Sequence, residues 1–184
     1  MSKILVDTID TRSGTSTLTL GSSNAGTIAL GSGDVQSNFL HPAFMVYKGS
    51  GTNQTISNDT FTKVEFSVED LDTNNNFASD RFTPTTAGKY LLFASVACDC
   101  SASDFKAAEI QIRKNGSEHY GGVNQQTNNN ANHINMEIQA IVDANGSSDY
   151  FEIFVTITDA NGSPVINAGG GARRCRFGGF RIAT

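Results

Sequence analysis

The residues best suited to chemistry in this 184-residue chain are oxygen-bearing side chains in one acidic segment. Glu69, Asp70 and Asp72 come just before an asparagine run at residues 74–76. Hard oxygen donors crowded in this way resemble the ligand set of a calcium ion. The segment lacks the spacing of an EF-hand loop, however, and a solvated acidic loop accounts for the same residues. We therefore predict no metal site and no cofactor.

Histidine, serine and cysteine chemistry finds no supporting pattern either. The three histidines are scattered, without a metal-binding spacing such as HExxH, and no nucleophile motif links a serine to a histidine and an acid. Cys98 and Cys100 are two residues apart in an apolar run, so in a strand they face the same side and are poorly placed to bond each other. Cys175 is remote in sequence. The sequence thus predicts a protein that is not an enzyme and whose cysteines are small buried residues.

The charge distribution argues against nucleic-acid and membrane partners. The formal net charge is -5, and the one basic cluster consists of Arg173, Arg174 and Arg176. A cluster this small is more typical of solvated or interface-pairing side chains than of a phosphate site. No stretch reaches the roughly 18–20 apolar residues of a membrane span, and Asp7 and Asp10 interrupt the only apolar run near the start. We expect synthesis in a cytosol without classical secretion.

Strand patterns fill the chain from residue 43 onward. Val64, Phe66 and Val68 share one face of a segment whose other face is polar, as in a half-buried strand. Asn-Gly turn signals begin at positions 115, 145 and 161, and no credible helix lies between the apolar runs. The fold class predicted for residues 43–184 is therefore all-β, an antiparallel jelly-roll sandwich.

Residues 1–40 differ in composition and contain a short repeat. TLTLGSSNAG at residues 17–26 aligns with TIALGSGDVQ at residues 27–36, each a short alternating strand followed by a glycine turn. Two such units bury too little surface to fold alone, so we expect three chains to wrap into an extended β-repeat stalk. A disordered Ser/Gly linker is the alternative. The apolar side chains predicted to lie on the stalk axis are Leu18, Leu20, Ile28 and Leu30.

The head carries a motif of a known family. FTPTTAGKYLLF at residues 82–93 resembles the signature of the globular domain of complement C1q, with a small shift in spacing around Pro84. The Asn-rich loop before it, the Lys-Asn-Gly turn and the closing FGGF at residues 177–180 follow in the family's order. Asp149 stands where the family has a Gly-Asp pair, with Ser148 in place of the glycine.

The resemblance extends over residues 43–184 and implies a jelly roll of the C1q and tumour necrosis factor type that assembles as a homotrimer. A sheet with an apolar outer face suits this assembly, because three chains can bury such a face together. Contacts between two different surfaces of neighbouring chains close into a ring when each chain is related to the next by a threefold rotation. Aromatic residues of the long strands are the candidates for the axis of the head, with burial in each chain's own core as the alternative. These candidates are Tyr90, Phe93, Phe151 and Phe177.

The first 35 or so residues resemble the N-terminal leader of tail-fibre proteins of marine and related bacteriophages. This resemblance implies a virion protein that is attached to other virion structural proteins through residues 1–40. We predict a tail fibre whose trimeric head binds a host surface glycan or protein. A capsid decoration or head-fibre protein is the first alternative. A depolymerase is a weaker one, because it would need paired carboxylates in a groove.

Amide-rich loops of the head are the candidate host contacts. Asn and Gln side chains offer paired donors and acceptors that suit sugar hydroxyls, although a well-solvated turn has the same composition. The predicted contact residues are Asn74, Asn75, Asn76, Asn124, Gln125, Gln126, Asn128 and Asn129.

Overall fold

The structure is a computed structural model that describes residues 42–100, 105–125, 131–160, 162–168 and 173–183. Within these residues it contains thirteen β-strands and no helix. The strands are β1 (Ala43–Tyr47), β2 (Gln54–Thr55), β3 (Thr62–Lys63), β4 (Val68–Asp72), β5 (Phe77–Ala78), β6 (Arg81–Phe82), β7 (Gly88–Asp99), β8 (Phe105–Lys114), β9 (Ser117–Gln125), β10 (His133–Ala144), β11 (Phe151–Asp159), β12 (Val165–Ile166) and β13 (Arg176–Ala183). The predicted stalk residues Leu18, Leu20, Ile28 and Leu30 lie outside the described ranges.

Two antiparallel sheets form the fold. The larger sheet has the order β10-β7-β13-β1-β4, and β12 joins the far end of β7 to β2. The smaller sheet has the order β5-β6-β11-β8-β9, with β3 also paired to β11. Most neighbours in either sheet are distant in sequence, as in a sandwich built from long crossing connections. The prediction of an all-β antiparallel sandwich is confirmed.

An aromatic cluster fills one end of the core between the sheets. Phe44 of β1 stacks on Phe82 of β6 with ring centroids 4.1 Å apart, and it meets Phe177 of β13 edge-on at 4.8 Å. Phe66 and Phe77 complete the cluster. Such aromatic pairs add to the energy of area burial, because their quadrupoles favour stacked and edge-to-face geometries. The cluster therefore ties β1, β6 and β13 together across the two sheets.

Three of the four aromatics predicted for the threefold axis belong to this core instead. Tyr90, Phe151 and Phe177 are each 0% exposed within a single chain, so the prediction that they face an axis between chains is wrong. Strand alternation turns all three inward, and the Tyr90 hydroxyl donates a hydrogen bond to the Thr86 carbonyl oxygen at 2.7 Å. Phe93, three residues after Tyr90, is on the opposite face of β7 and is half-buried.

The FGGF motif brings β13 unusually close to its neighbours. A Cβ atom at Gly179 would lie 2.5 Å from Leu92 Cδ2, and one at Gly178 would lie 2.8 Å from Phe93 Cζ. Real side chains do not approach this closely, so only glycine allows β7 to pack its leucine and phenylalanine over β13. The glycine pair is thus a packing requirement of the larger sheet.

The three cysteines, Cys98, Cys100 and Cys175, are free thiols buried in the core, as the sequence predicted. Burial raises the pKa of the Cys98 thiol well above its ordinary value, and it raises the pKa of Cys175 as well. The Cys175 thiol lies 3.0 Å from the Asn167 carbonyl oxygen, to which it donates. The cysteines therefore behave as packing residues rather than nucleophiles.

Asp149 holds together the two turns at one end of the sandwich. Its carboxylate accepts hydrogen bonds from Asn115 Nδ2 and from the Asn145 backbone amide, each at 2.9 Å, and pairs with Lys114 Nζ at 2.9 Å. Asn115 in turn accepts from the Tyr150 amide at 3.0 Å. Hydrogen bonds from Asn115 and Lys114 lower the pKa of the Asp149 carboxyl below its ordinary value, despite its burial. Asp149, which matches an aspartate of the C1q-type motif, therefore stabilises the two turns.

A lowered pKa predicts a direction for the dependence of stability on pH. Because the Asp149 pKa is lower in the folded chain, its contribution is present above the unfolded pKa of about 3.9 and is lost as pH falls through the folded value. We expect Asp149→Asn to lower the free energy of unfolding at pH 7 by about 1.5–3 kcal/mol, the range for a hydrogen bond to a charged group. The difference between the variant and the wild type should shrink as pH is lowered below 4.

Urea unfolding at a series of pH values measures this effect. Asp143→Asn is the matched control, because Asp143 pairs with Lys89 at 2.6 Å but its side chain is largely exposed to solvent. The control should change stability less at every pH. A difference between Asp149→Asn and the wild type that stays constant down to pH 2 would contradict the role of the carboxylate charge.

Candidate functional site

The outer face of the larger sheet, turned away from the core, carries a row of apolar side chains that are exposed or half-buried. Ile141 of β10, Leu91 of β7 and Phe180 of β13 are direct partners across three adjacent strands. In the neighbouring row, Phe93 and Met45 flank a glycine of β13. Ile141 is 54% and Phe180 43% exposed in the single chain. We call these five residues, Leu91, Phe93, Ile141, Phe180 and Met45, the apolar patch.

The same face changes character along its length. Beyond Phe93, the outward side chains of β7 are Ser95, Ala97 and Asp99. Their partners on β10 are polar or charged throughout, and β13 contributes an arginine beside Ser95. On the other side of the patch, Lys89 and Asp143 form an exposed ion pair. The apolar patch thus lies between that ion pair and a charged end that begins at Ser95. No sequence pattern in any one strand shows this division, because it depends on the register of three strands.

The predicted contact residues of the first loop are only partly available. Asn74 and Asn75 are exposed in the turn between β4 and β5. Asn76 is buried, and its Oδ1 lies 3.2 Å from Thr85 Oγ1, which donates to it. The prediction of a host contact is therefore wrong for Asn76, because its side chain is used to close the loop onto the next turn.

Two carboxylates of the acidic segment already have hydrogen-bond or ion-pair partners within the chain. The Asp72 carboxylate accepts hydrogen bonds from the backbone amides of Asn74, Asn76 and Phe77 at 2.8–3.3 Å. Asp70 forms an ion pair with Arg173. The Asp72 contacts shape the loop, as expected for a side chain that mimics a turn. The ion pair holds the segment that enters β13 near β4. Among the described residues there is no group of three or more His, Cys, Asp and Glu that could hold a metal ion.

The second predicted loop begins at the end of β9. Asn124 is exposed there and Gln125 is the last residue of the strand. The other predicted contacts, Gln126, Asn128 and Asn129, lie outside the described residues. Because β4 and β9 are the outermost strands at opposite ends of the two sheets, the turn after β4 and the end of β9 belong to opposite edges of the sandwich. The described parts of the two loops do not form one site.

No helix in the described part of the chain is long and apolar enough to cross a membrane.

Comparison with known proteins identifies the fold. No protein-family model matches this chain, and no curated protein matches it. The crystal structure of murine APRIL at pH 5.0 is similar with a TM-score of 0.55 and 11% identity, covering 78% of this chain and 100% of that one. The globular domain of zebrafish complement 1qA protein is similar with a TM-score of 0.54 and 14% identity, covering 78% of this chain and 98% of that one. The described sandwich is thus a jelly roll of the C1q and tumour necrosis factor type, as predicted.

Proposed function

We propose that this chain is a non-enzymatic bacteriophage virion protein, a tail fibre whose head assembles as a homotrimer and contacts the host surface. The observation that carries the proposal is the apolar patch on the outer face of the larger sheet. Leu91, Ile141 and Phe180 form a continuous apolar row across three strands, in which Ile141 and Phe180 are exposed and Leu91 is half-buried within the described residues. Contiguous exposed apolar surface of this kind marks an interaction site in a soluble protein.

A threefold arrangement suits this patch. In a cyclic trimer each chain turns the same face toward the axis, so one patch per chain is enough to close the assembly. The C1q-type resemblance of residues 43–184 implies the same assembly. Phe93 is the one predicted axis residue on the outer face, and it lies within the patch. The trimer therefore places Phe93 and Phe180 near the axis and leaves Tyr90, Phe151 and Phe177 in the core of each chain.

The virion role is supported by residues 1–40, which resemble a phage tail-fibre leader. In this proposal the leader attaches the protein to other virion proteins, and the head projects outward. The exposed amides Asn74, Asn75 and Asn124 are then available at the surface for host glycan or protein. No catalytic constellation is part of the proposal, and shortening of host polysaccharide by the purified protein would contradict it.

Deletion of residues 1–40 tests the attachment role. We expect the truncated head to remain folded and trimeric but to be missing from phage particles, because the head retains the apolar patch and loses only the leader. Immunoblotting of purified particles measures incorporation, and sedimentation of the free head measures its assembly. A truncated head that is still incorporated would contradict attachment through the leader.

Cryo-electron microscopy of intact particles separates the two virion locations. Density for the head at the tail supports the tail-fibre proposal. Density at a capsid vertex or on the capsid lattice would overturn it in favour of a capsid decoration or head-fibre protein.

A further inference from the structure

The charged end of the outer face contains a trough along β7. Its floor is formed by Ser95 and Ala97, which are only 2% and 7% exposed although both are on the outer face. They are covered because longer side chains rise on both sides, from β10 and from the segment that enters β13. The wall residues are His133, Asn135, Glu137, Arg174 and Arg176. The cavity above this floor measures about 470 Å³, within the range of roughly 300–1,000 Å³ for small-molecule sites.

An ion pair closes one end of the trough. Arg176 Nη2 and Glu137 Oε1 are 3.4 Å apart, and both residues are cross-strand partners of Ser95, so their contact passes over the floor. At the other end, His133 Nδ1 lies 2.6 Å from Asp99 Oδ1. The side chains of Arg176 and Asp99 are therefore already held by contacts within the chain, and the trough has defined ends.

Arg174 is different, because its guanidinium has no partner among the described residues. Its backbone is fixed: Ser95 Oγ lies 3.2 Å from the Arg174 carbonyl oxygen and also 3.2 Å from Asn135 Oδ1, and it can donate to either one. The backbone of Arg174 is thus held at the floor of the trough, while its guanidinium has no partner among the described residues. A guanidinium whose backbone is held in place and whose N–H groups are unpaired can bind a carboxylate through two parallel hydrogen bonds.

The remaining wall groups limit which ligand fits. A bare anion would meet Arg174 but also the carboxylates of Glu137 and Asp99, which repel it. A neutral sugar would satisfy these acceptors and the Asn135 amide with its hydroxyls, but it would offer Arg174 only neutral oxygen acceptors instead of the carboxylate that a guanidinium binds more strongly. A ligand with a carboxylate at one end and hydroxyls along its length matches both features.

We propose that the trough binds an acidic saccharide, with the sugar carboxylate held by Arg174 and the ring hydroxyls by Asn135, Glu137 and Asp99. This proposal deepens the host-contact role and rests on it for its biological meaning. It moves glycan recognition from the amide loops to the outer face of the larger sheet.

The trough adjoins the apolar patch on the same face, because Phe93 and Ser95 are successive outward residues of β7 and Phe93 lines one cavity with Glu137 and Arg176. Packing another chain over Arg174 without an acidic partner would bury an unpaired guanidinium, which costs several kcal/mol. The apolar patch carries no such cost. The proposal therefore requires a trimer that closes on the patch and leaves the trough open to ligand.

Titration of the full-length protein with D-glucuronate and with D-glucose tests the site. We expect the wild type to prefer glucuronate, and Arg174→Gln to weaken glucuronate binding at least about tenfold, since a charge-assisted hydrogen-bond pair is lost. Lys106→Gln is the matched control: it removes the same charge from β8 in the smaller sheet and should leave binding unchanged. Isothermal titration calorimetry or ligand-observed NMR gives the dissociation constants, and thermal unfolding verifies that each variant is folded.

Several outcomes would overturn the proposal. They are equal binding by Arg174→Gln, equal affinity for glucose and glucuronate, and inorganic phosphate binding as tightly as glucuronate. Sedimentation of the same samples separates this proposal from that of the trimer. Glucuronate binding by a monomeric wild type supports the trough and contradicts the trimer, whereas a trimer that does not bind glucuronate contradicts the trough alone.

Discussion

We expect the replacement of Phe180 with lysine to convert the proposed trimeric head into folded monomers. Phe180 is 43% exposed in the single chain and lies in one row with Leu91 and Ile141. In the proposed trimer, its three copies would meet near the axis. Each chain loses about 1.5–3 kcal/mol of apolar burial, or roughly 4.5–9 kcal/mol per trimer. At about 1.4 kcal/mol per tenfold change, the trimer is weakened at least 1,000-fold or so. Three ammonium groups near one axis weaken it further, because each would lose its hydration.

Analytical ultracentrifugation at micromolar concentration measures this result. Val123→Lys is the matched control, since Val123 is 70% exposed but lies opposite Glu109 on the outer face of the smaller sheet. We expect the control to sediment as a trimer and Phe180→Lys as a monomer, with the same β-sheet circular dichroism for both. A trimeric Phe180→Lys head would show that the apolar patch is not the interface.

The fold was readable from the sequence because its signals are local. Alternation in β8 and β10 and the Asn-Gly turn after β8 each indicate a strand or hairpin without knowledge of its partners. The alternating segment from Val64 to Val68 was predicted as a strand, but residues 64–67 lie between β3 and β4. Asn115 and Gly116 have the positive φ values of 53° and 82° that the Asn-Gly turn requires. The order of these signals along residues 43–184 then led to the jelly-roll class, which the described structure confirms.

The residues of the outer face could not be predicted from the sequence, because the hydrophobicity of a side chain does not show whether it lies in the core or in an interface between chains. Phe177 and Phe180 are three residues apart in β13, so their side chains point to opposite faces. The spacing says that one is inside and the other outside, but not which. The sequence prediction chose Tyr90, Phe93, Phe151 and Phe177 for the axis because they are aromatic, and only Phe93 is on the outer face. Only the packing of β13 between β7 and β1 shows that Phe180 is the outward residue.

The trough depends even more on contacts between distant residues. Ser95 reaches the carbonyl oxygen of Arg174 across 79 positions, and Glu137 meets Arg176 across 39. The basic cluster was visible in the sequence, but the partner of each arginine could not be predicted from it. Arg173 pairs with Asp70 and Arg176 with Glu137, so only Arg174 is left for a ligand.

Phe177→Ala should give the largest loss of stability in the head. Phe177 is 0% exposed and its ring centroid lies 4.8 Å from that of Phe44, 5.9 Å from Phe66 and 6.3 Å from Phe77. Removing a buried phenylalanine side chain costs about 3–5 kcal/mol, as lost transfer energy plus a cavity that its rigid neighbours cannot fill. Because the free energy of unfolding of a whole domain is only about 5–15 kcal/mol, this single change removes a large fraction of it.

The measurement is best made in the Phe180→Lys background, because subunit association would otherwise add to the apparent stability of the wild type. Urea unfolding should then report the core alone, with Val123→Ala as the exposed control and a change within about 0.5 kcal/mol. If Phe177→Ala left the stability of this monomer unchanged but dissolved the trimer when introduced into the wild-type head, Phe177 would be an interface residue after all. The opposite pattern, a destabilised monomer, separates the two phenylalanines of FGGF into one that holds the chain's own sheets together and one that joins the chain to its copies.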